Sequence, residues 1–163
     1  MSTDGRSQSQ TLEAGGLRVA VVAARWNEDL IERMVTRAVE EAKRHGVTEV
    51  AVEHVDGSGE LPSGAQALAR SGKFDAVVAI GVVLRGGTPH FDTVLQRATD
   101  GLLRVALEED AVAIGDCVIA AYDRGQIEMR AGGPGTHEDK GAGAMHAALD
   151  LALLKRKYRP DAT

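Results

Sequence analysis

Four short apolar runs, each followed by a longer stretch with apolar residues at helical spacing, constrain this chain more than any other feature. Leu17 to Ala23 is nearly continuous in apolar side chains, the pattern of a strand covered on both faces. From Glu28 to His45, Leu30, Ile31, Met34, Val35, Ala38, Val39 and Ala42 recur at the period of an amphipathic helix. Asn27 is placed to cap that helix, Glu28 and Asp29 favour its positive end, and Gly46 marks its stop. The cycle repeats with strands over 48–55, 75–83 and 111–121. Helices are predicted over 62–71 with Pro62 opening the first turn, then from a Thr88 cap with Pro89 at the first helical position to Glu108, then over 124–131 and 138–157. Strands alternating with helices in this way specify an α/β fold, a three-layer α/β/α sandwich around a mostly parallel sheet.

The 163 residues suffice for one such domain, spanning 17–158, with 1–16 read as a flexible, polar N-terminal arm. Cys117 is the single cysteine, so neither an intramolecular disulfide nor a multi-thiolate zinc site is available. His45, His54, His137 and His146 show no metal-ligand spacing, and no metal is expected. A net charge of −5 argues against nucleic acid as a partner. No run reaches the roughly 18 apolar residues of a membrane span, and the N-terminus lacks a secretory apolar core, so a cytoplasmic location is expected. Aromatic residues make up only 3% of the chain. The core must therefore be aliphatic, and Trp26, Phe74, Phe91, Tyr122 and Tyr158 become residues to locate.

Parallel α/β sheets bind ligands beyond the carboxyl ends of their strands. That rule selects Ala24–Asn27, Asp56–Pro62, Val83–His90 and the stretch after Ile119. Trp26 offers a flat face to a heterocycle, or equally closes one end of the core. The segment Leu84 to Asp92 (LRGGTPHFD) joins glycines, Arg85, Thr88 and a helix start, a setting for phosphate or carboxylate. It lacks the ending of a Walker motif and the spacing of a dinucleotide fingerprint. His90, in the first helical turn, is suited to proton transfer, or simply caps the helix; the positive helix end favours its neutral imidazole. Glu60 is an acceptor for a polyol or amine, or an ordinary loop acid. Arg130 and Lys140 are surface charges when taken singly, but with Thr88 they can complete an anion site, including one contributed by a neighbouring subunit.

These residues resemble the lumazine synthase family over about 17–157. Gly81-Val-Val-Leu-Arg-Gly-Gly-Thr-Pro-His-Phe-Asp92 is similar to the family's Gly-x-Val-Ile-Arg-Gly-x-Thr-x-His-Phe-Asp block. Ala24–Asn27, Gly57–Pro62, Arg130-Ala-Gly132 and Asp139-Lys-Gly141 resemble its other landmarks. The resemblance implies a flavodoxin-like fold without cofactor or metal. It implies condensation of 5-amino-6-ribitylamino-pyrimidinedione with 3,4-dihydroxy-2-butanone 4-phosphate, a step of riboflavin biosynthesis. Trp26 is then implied to stack on the pyrimidine, with Val83 and Leu84 beside it. Ser58 and Glu60 are implied to meet the ribityl chain, and Asn27 and Gly59 to join the substrate-binding set. Gly87, Thr88 and Arg130 are implied to hold phosphate, His90 to transfer protons, and Lys140 to lie near the ribityl group or phosphate.

One block departs from the family pattern. Over 111–126, about two residues are added and a Thr-rich stretch is absent. Ile114 stands where the family frequently has a Phe that packs on the substrate ring from an adjacent subunit, and Asp116 places a charge in an apolar strand. A non-catalytic or altered-specificity paralogue that binds a flavin, lumazine or related heterocycle is the alternative function. The resemblance also implies identical subunits sharing active sites. The seven-residue link from Gly133 to Asp139 is similar to that of members that stop at the pentamer or decamer, and a pentamer is expected.

Overall fold

A computed structural model describes residues 10–160. Four strands, β1 (Val19–Ala24), β2 (Val50–Val55), β3 (Ala76–Leu84) and β4 (Ala113–Ala121), pair in the order β2-β1-β3-β4. Every pairing is parallel, with Val19 opposite both Val50 and Ala76, and Leu84 opposite Ala121. Among the described residues, five α-helices, α1 (Glu28–Arg44), α2 (Leu61–Arg70), α3 (His90–Glu108), α4 (Arg124–Glu128) and α5 (Lys140–Lys157), and a 3-10 turn over Ser58–Glu60 complete the element order.

Strand alternation divides the core into two layers. Val19, Val21, Ala76, Val78 and Ile80 face α1 and α5, packing on Leu30, Met34, Met145 and Leu149. Ala20, Val22, Val77 and Ala79 face the other way, onto Leu61, Ala65 and Leu102 of α2 and α3. β1 is buried throughout, and β3 up to its last residue, as their continuous apolar runs require. β4 is different: it alternates, burying Ala113, Gly115, Cys117, Ile119 and Ala121 while Asp116 and Ala120 emerge. Glycine sets how closely α1 and α5 approach. A Cβ on Gly141 would lie 2.4 Å from the Met34 carbonyl oxygen, so only glycine fits at that crossing.

Several helix ends differ from the sequence expectation. Asn27 occupies the α1 cap position in the left-handed conformation (φ 61°), and its carbonyl, not its side chain, accepts from Leu30 and Ile31. α3 begins at His90 with Pro89 at its cap position, one residue later than expected, while Thr88 Oγ1 still accepts from the His90 amide at 3.4 Å as a capping side chain does. α4 ends at Glu128, short of the expected 131.

Residues 1–9 of the N-terminal arm lie outside the described residues, and Leu12 and Ala14 of the remainder contact the domain. The Leu12 amide donates to His45 Nδ1 at 2.9 Å, the Ala14 amide donates to the His45 carbonyl, and Ala14 is fully buried. Among the described residues no helix is long and apolar enough to cross a membrane.

Candidate active site

The strand order reverses direction between β1 and β3, and the loops leaving their carboxyl ends diverge there. A cleft of about 490 Å³ opens at this point. Trp26 and Asn27 enter from the end of β1, Asp56 to Glu60 from the end of β2, and Val82 to Leu84 from β3. Gly86, Thr88, His90 and Phe91 close it from the start of α3. The sequence-predicted set Trp26, Asn27, Ser58, Gly59, Glu60, Val83, Leu84, Thr88 and His90 is therefore brought together. Gly87 lies between two lining residues without lining the cleft itself.

Local hydrogen bonds fix the second loop. The Glu60 side chain reaches back and accepts from the Gly57 amide at 2.9 Å, holding one carboxylate oxygen while the other remains available. Ser58 is buried, and its hydroxyl donates to the Val82 carbonyl at 3.1 Å. A ligand can therefore only donate to Ser58. Gly81 permits this packing: a Cβ there would sit 2.5 Å from Ser58 Oγ and 2.7 Å from Leu61. Trp26 is 68% exposed, so its indole is not a lid on the core but a free aromatic face at the rim.

Thr93, Val94 and Arg97 of the cleft were not singled out from sequence. Val94 and Arg97 lie on α3 at i+4 and i+7 from His90, so helical spacing was the signal that marks them. Arg97 also runs beside Gly59, bringing a cation to the Glu60 end of the cleft. Arg85 moves the opposite way. It does not line the cleft, and its guanidinium lies 5.3 Å from the centroid of Tyr122, just beyond β4.

Ile114, Arg130 and Lys140 do not reach this cleft within one chain. Ile114 pairs with Val77, seven positions before Leu84, so the two lie roughly 23 Å apart along the strands. Arg130 and Lys140 instead border a second concavity, of about 420 Å³, with Asp116 to Ala120 on β4. Glu138 accompanies both cations, 2.6 Å from Lys140 Nζ and 3.8 Å from Arg130 Nε. Arg130 also donates to the Gln126 carbonyl at 2.8 Å. Partial burial pushes the Asp116 carboxyl above its ordinary value, and the Val118 amide that it accepts offsets part of that shift. Beneath it, burial and the neighbouring Asp116 charge push the Cys117 thiol up to about 12, which makes it an inert core residue.

The histidines are less scattered than their spacing suggests. Helix pairing brings His45 and His146 together with Glu41, at the end of α1 remote from the cleft.

A family model described as 6,7-dimethyl-8-ribityllumazine synthase matches residues 16–156. Proteins named 6,7-dimethyl-8-ribityllumazine synthase match nearly the whole chain. The one from Corynebacterium glutamicum is 45% identical over 159 residues, covering 98% of each chain. The one from Thermobifida fusca is 47% identical over 159 residues, covering 98% of this chain and 91% of its own. The one from Salinispora arenicola is 48% identical over 156 residues, covering 96% and 92%.

Proposed function

Because the chain belongs to the 6,7-dimethyl-8-ribityllumazine synthase family, we infer that it is the cytoplasmic enzyme that condenses 5-amino-6-ribitylamino-pyrimidinedione with 3,4-dihydroxy-2-butanone 4-phosphate to give 6,7-dimethyl-8-ribityllumazine. The observation that carries the reading is the meeting of an exposed indole, a carboxylate with one free oxygen and a histidine at a helix start in one cleft.

The pyrimidine stacks on Trp26, with Val83 and Leu84 against its edge. Its ribityl hydroxyls donate to Glu60, with Ser58 able to accept one more. The chemistry begins when the ring amine attacks the ketone and water leaves, forming an imine. Phosphate then departs by elimination, and the ribityl-bearing amine closes on the remaining carbonyl with loss of a second water to give the product. Each step moves protons rather than requiring a protein nucleophile, and His90 is the group placed to take and return them. Holding both reactants in one cleft supplies the remaining advantage by removing the entropic cost of their encounter. Thr88 and the glycine turn before α3 hold the phosphate end.

Arg130, Lys140 and Ile114 reach the cleft from a neighbouring copy of the chain. Their separation from it within one chain supports this reading. The assembly is a ring of identical subunits, a pentamer, in which β4 of one chain faces the cleft of the next. The test is steady-state product formation from the two substrates by the folded oligomer; ligand binding without product would contradict the assignment.

A further inference from the structure

Helices α1 and α5 assemble a side-chain cluster that the cleft chemistry does not use. Glu41 and His45 stand one turn apart on α1, and His146 faces them from α5. The His45 side chain is completely buried, whereas those of Glu41 and His146 are 12% and 25% exposed. His45 Nε2 lies 2.8 Å from Glu41 Oε1 and 3.2 Å from His146 Nδ1. The third edge, His146 Nδ1 to Glu41 Oε1, is 3.6 Å. A tetrahedral ion with bonds of about 2.05 Å separates neighbouring ligand atoms by about 3.3 Å. The three edges bracket that value, so the donors already lie on one face of such a tetrahedron.

We propose that Glu41 Oε1, His45 Nε2 and His146 Nδ1 form a binding site for one divalent transition-metal ion, Zn²⁺ foremost, with water at the fourth position on the more open His146 side. Two imidazoles and one carboxylate suit Zn²⁺ or Co²⁺ rather than Ca²⁺ or Mg²⁺, which take oxygen donors. The carboxylate is held ready. Burial pushes Glu41 up, but hydrogen bonds from Arg44 and His45 outweigh it and keep the group below its usual range. Arg44 binds both oxygens, with Nε on Oε2 at 3.0 Å and an NH₂ group on Oε1 at 2.7 Å. That same NH₂ group lies 3.2 Å from His45 Nε2, so an entering ion displaces it from Oε1 and Nε2, and Arg44 keeps Oε2 through Nε as an outer partner of the ligand.

Coordination also changes the arm. His45 Nδ1 accepts from the Leu12 amide, so its ring proton resides on Nε2, pointing at Glu41. An ion bound at Nε2 moves that proton to Nδ1, where it meets another N–H, and the Leu12 bond breaks. Metal occupancy and docking of residues 10–16 therefore oppose each other. His45 and His146 are 101 positions apart, which is why no ligand pattern shows in the sequence.

The test titrates Co²⁺, then Zn²⁺, into the tag-free full-length protein and its His146→Ala, Glu41→Gln and His54→Ala variants. The wild type is expected to develop the visible d–d absorption of a low-coordinate Co²⁺ centre, abolished by one equivalent of Zn²⁺ per chain. His146→Ala and Glu41→Gln each weaken binding at least about tenfold. His54→Ala, which removes the separate His54–Glu32 pair, leaves it intact. Proteolysis near residues 10–16 quickens with Zn²⁺ in the wild type and His54→Ala, but not in His146→Ala or Glu41→Gln. His146 is partly exposed, so its variant folds, and equal circular dichroism of the metal-free proteins checks this. Absence of the Co²⁺ band, or equal affinity in the wild type and both ligand variants, overturns the proposal.

Discussion

The cleft beyond β1 and β3 and the concavity beside β4 are built by different means. The cleft is closed by loops from three strands and one helix start, its polar groups are positioned by short hydrogen bonds, and its indole stands free. The β4 patch is an exposed strand face on which Arg130 and Lys140 both lie against Glu138. The first has the enclosed volume and the free aromatic face that the proposed heterocycle needs. The second sets its cations around a concavity of about 420 Å³ on that strand face, and in the proposed ring it is presented to the next chain's cleft. A chain can thus carry a whole architecture and only part of a site.

The largest break in this contrast is His90→Ala. Turnover should fall by roughly 10² or more, the usual loss of a proton-transfer group. Substrate binding and oligomer size should be retained, as stopped turnover with isothermal calorimetry and sedimentation will show; loss of the oligomer would contradict the role. Next comes Arg130→Ala, which removes a charge-assisted contact worth about 1.5–3 kcal/mol. The KM for the phosphorylated ketone should rise roughly tenfold to a hundredfold, with little change for the pyrimidine. Trp26→Ala should raise the pyrimidine KM roughly fivefold to tenfold and leave the ketone KM alone, which reverses the Arg130 pattern.

The smallest effect belongs to Asp116→Asn. The folded-state pKa of Asp116 is raised by burial, so as pH rises the unfolded chain ionises first. Stability is lost from the ordinary carboxylate value, about 4, up to the raised folded value, and stays lost above it. Asp116→Asn removes that loss. Thermal melting should show a modest gain near pH 7 that vanishes below about pH 4.

Legibility from sequence followed burial. β1 and β3 are covered on both faces, so their composition alone marked them, and the three layers followed. The motif residues from Trp26 to His90 sit at strand ends, where position along the chain maps directly onto position in space. What escaped depends on long-range pairing. Residues 10–16 are polar and look detached, but they dock because a buried His45 nitrogen awaits the Leu12 amide. Ile114 sits in a strand that was found correctly, but its register against Val77 sets it far from Leu84. Arg97 was readable from its spacing to His90, whereas the contact of Glu138 with both cations follows from the turn between α4 and α5.

The central claim is that one chain's cleft works with the next chain's β4 patch. Subunit mixing tests it directly. His90→Ala and Arg130→Ala chains are denatured together, reassembled at equal amounts and assayed for product at a phosphorylated-ketone concentration below the wild-type KM, where the Arg130→Ala assembly alone turns over poorly. In a ring with random neighbours, roughly a quarter of the interfaces join an intact cleft to an intact patch. Activity near that fraction of the wild type, well above either variant reassembled alone, is the predicted result. Mixed assemblies no more active than the separate variants would contradict the account.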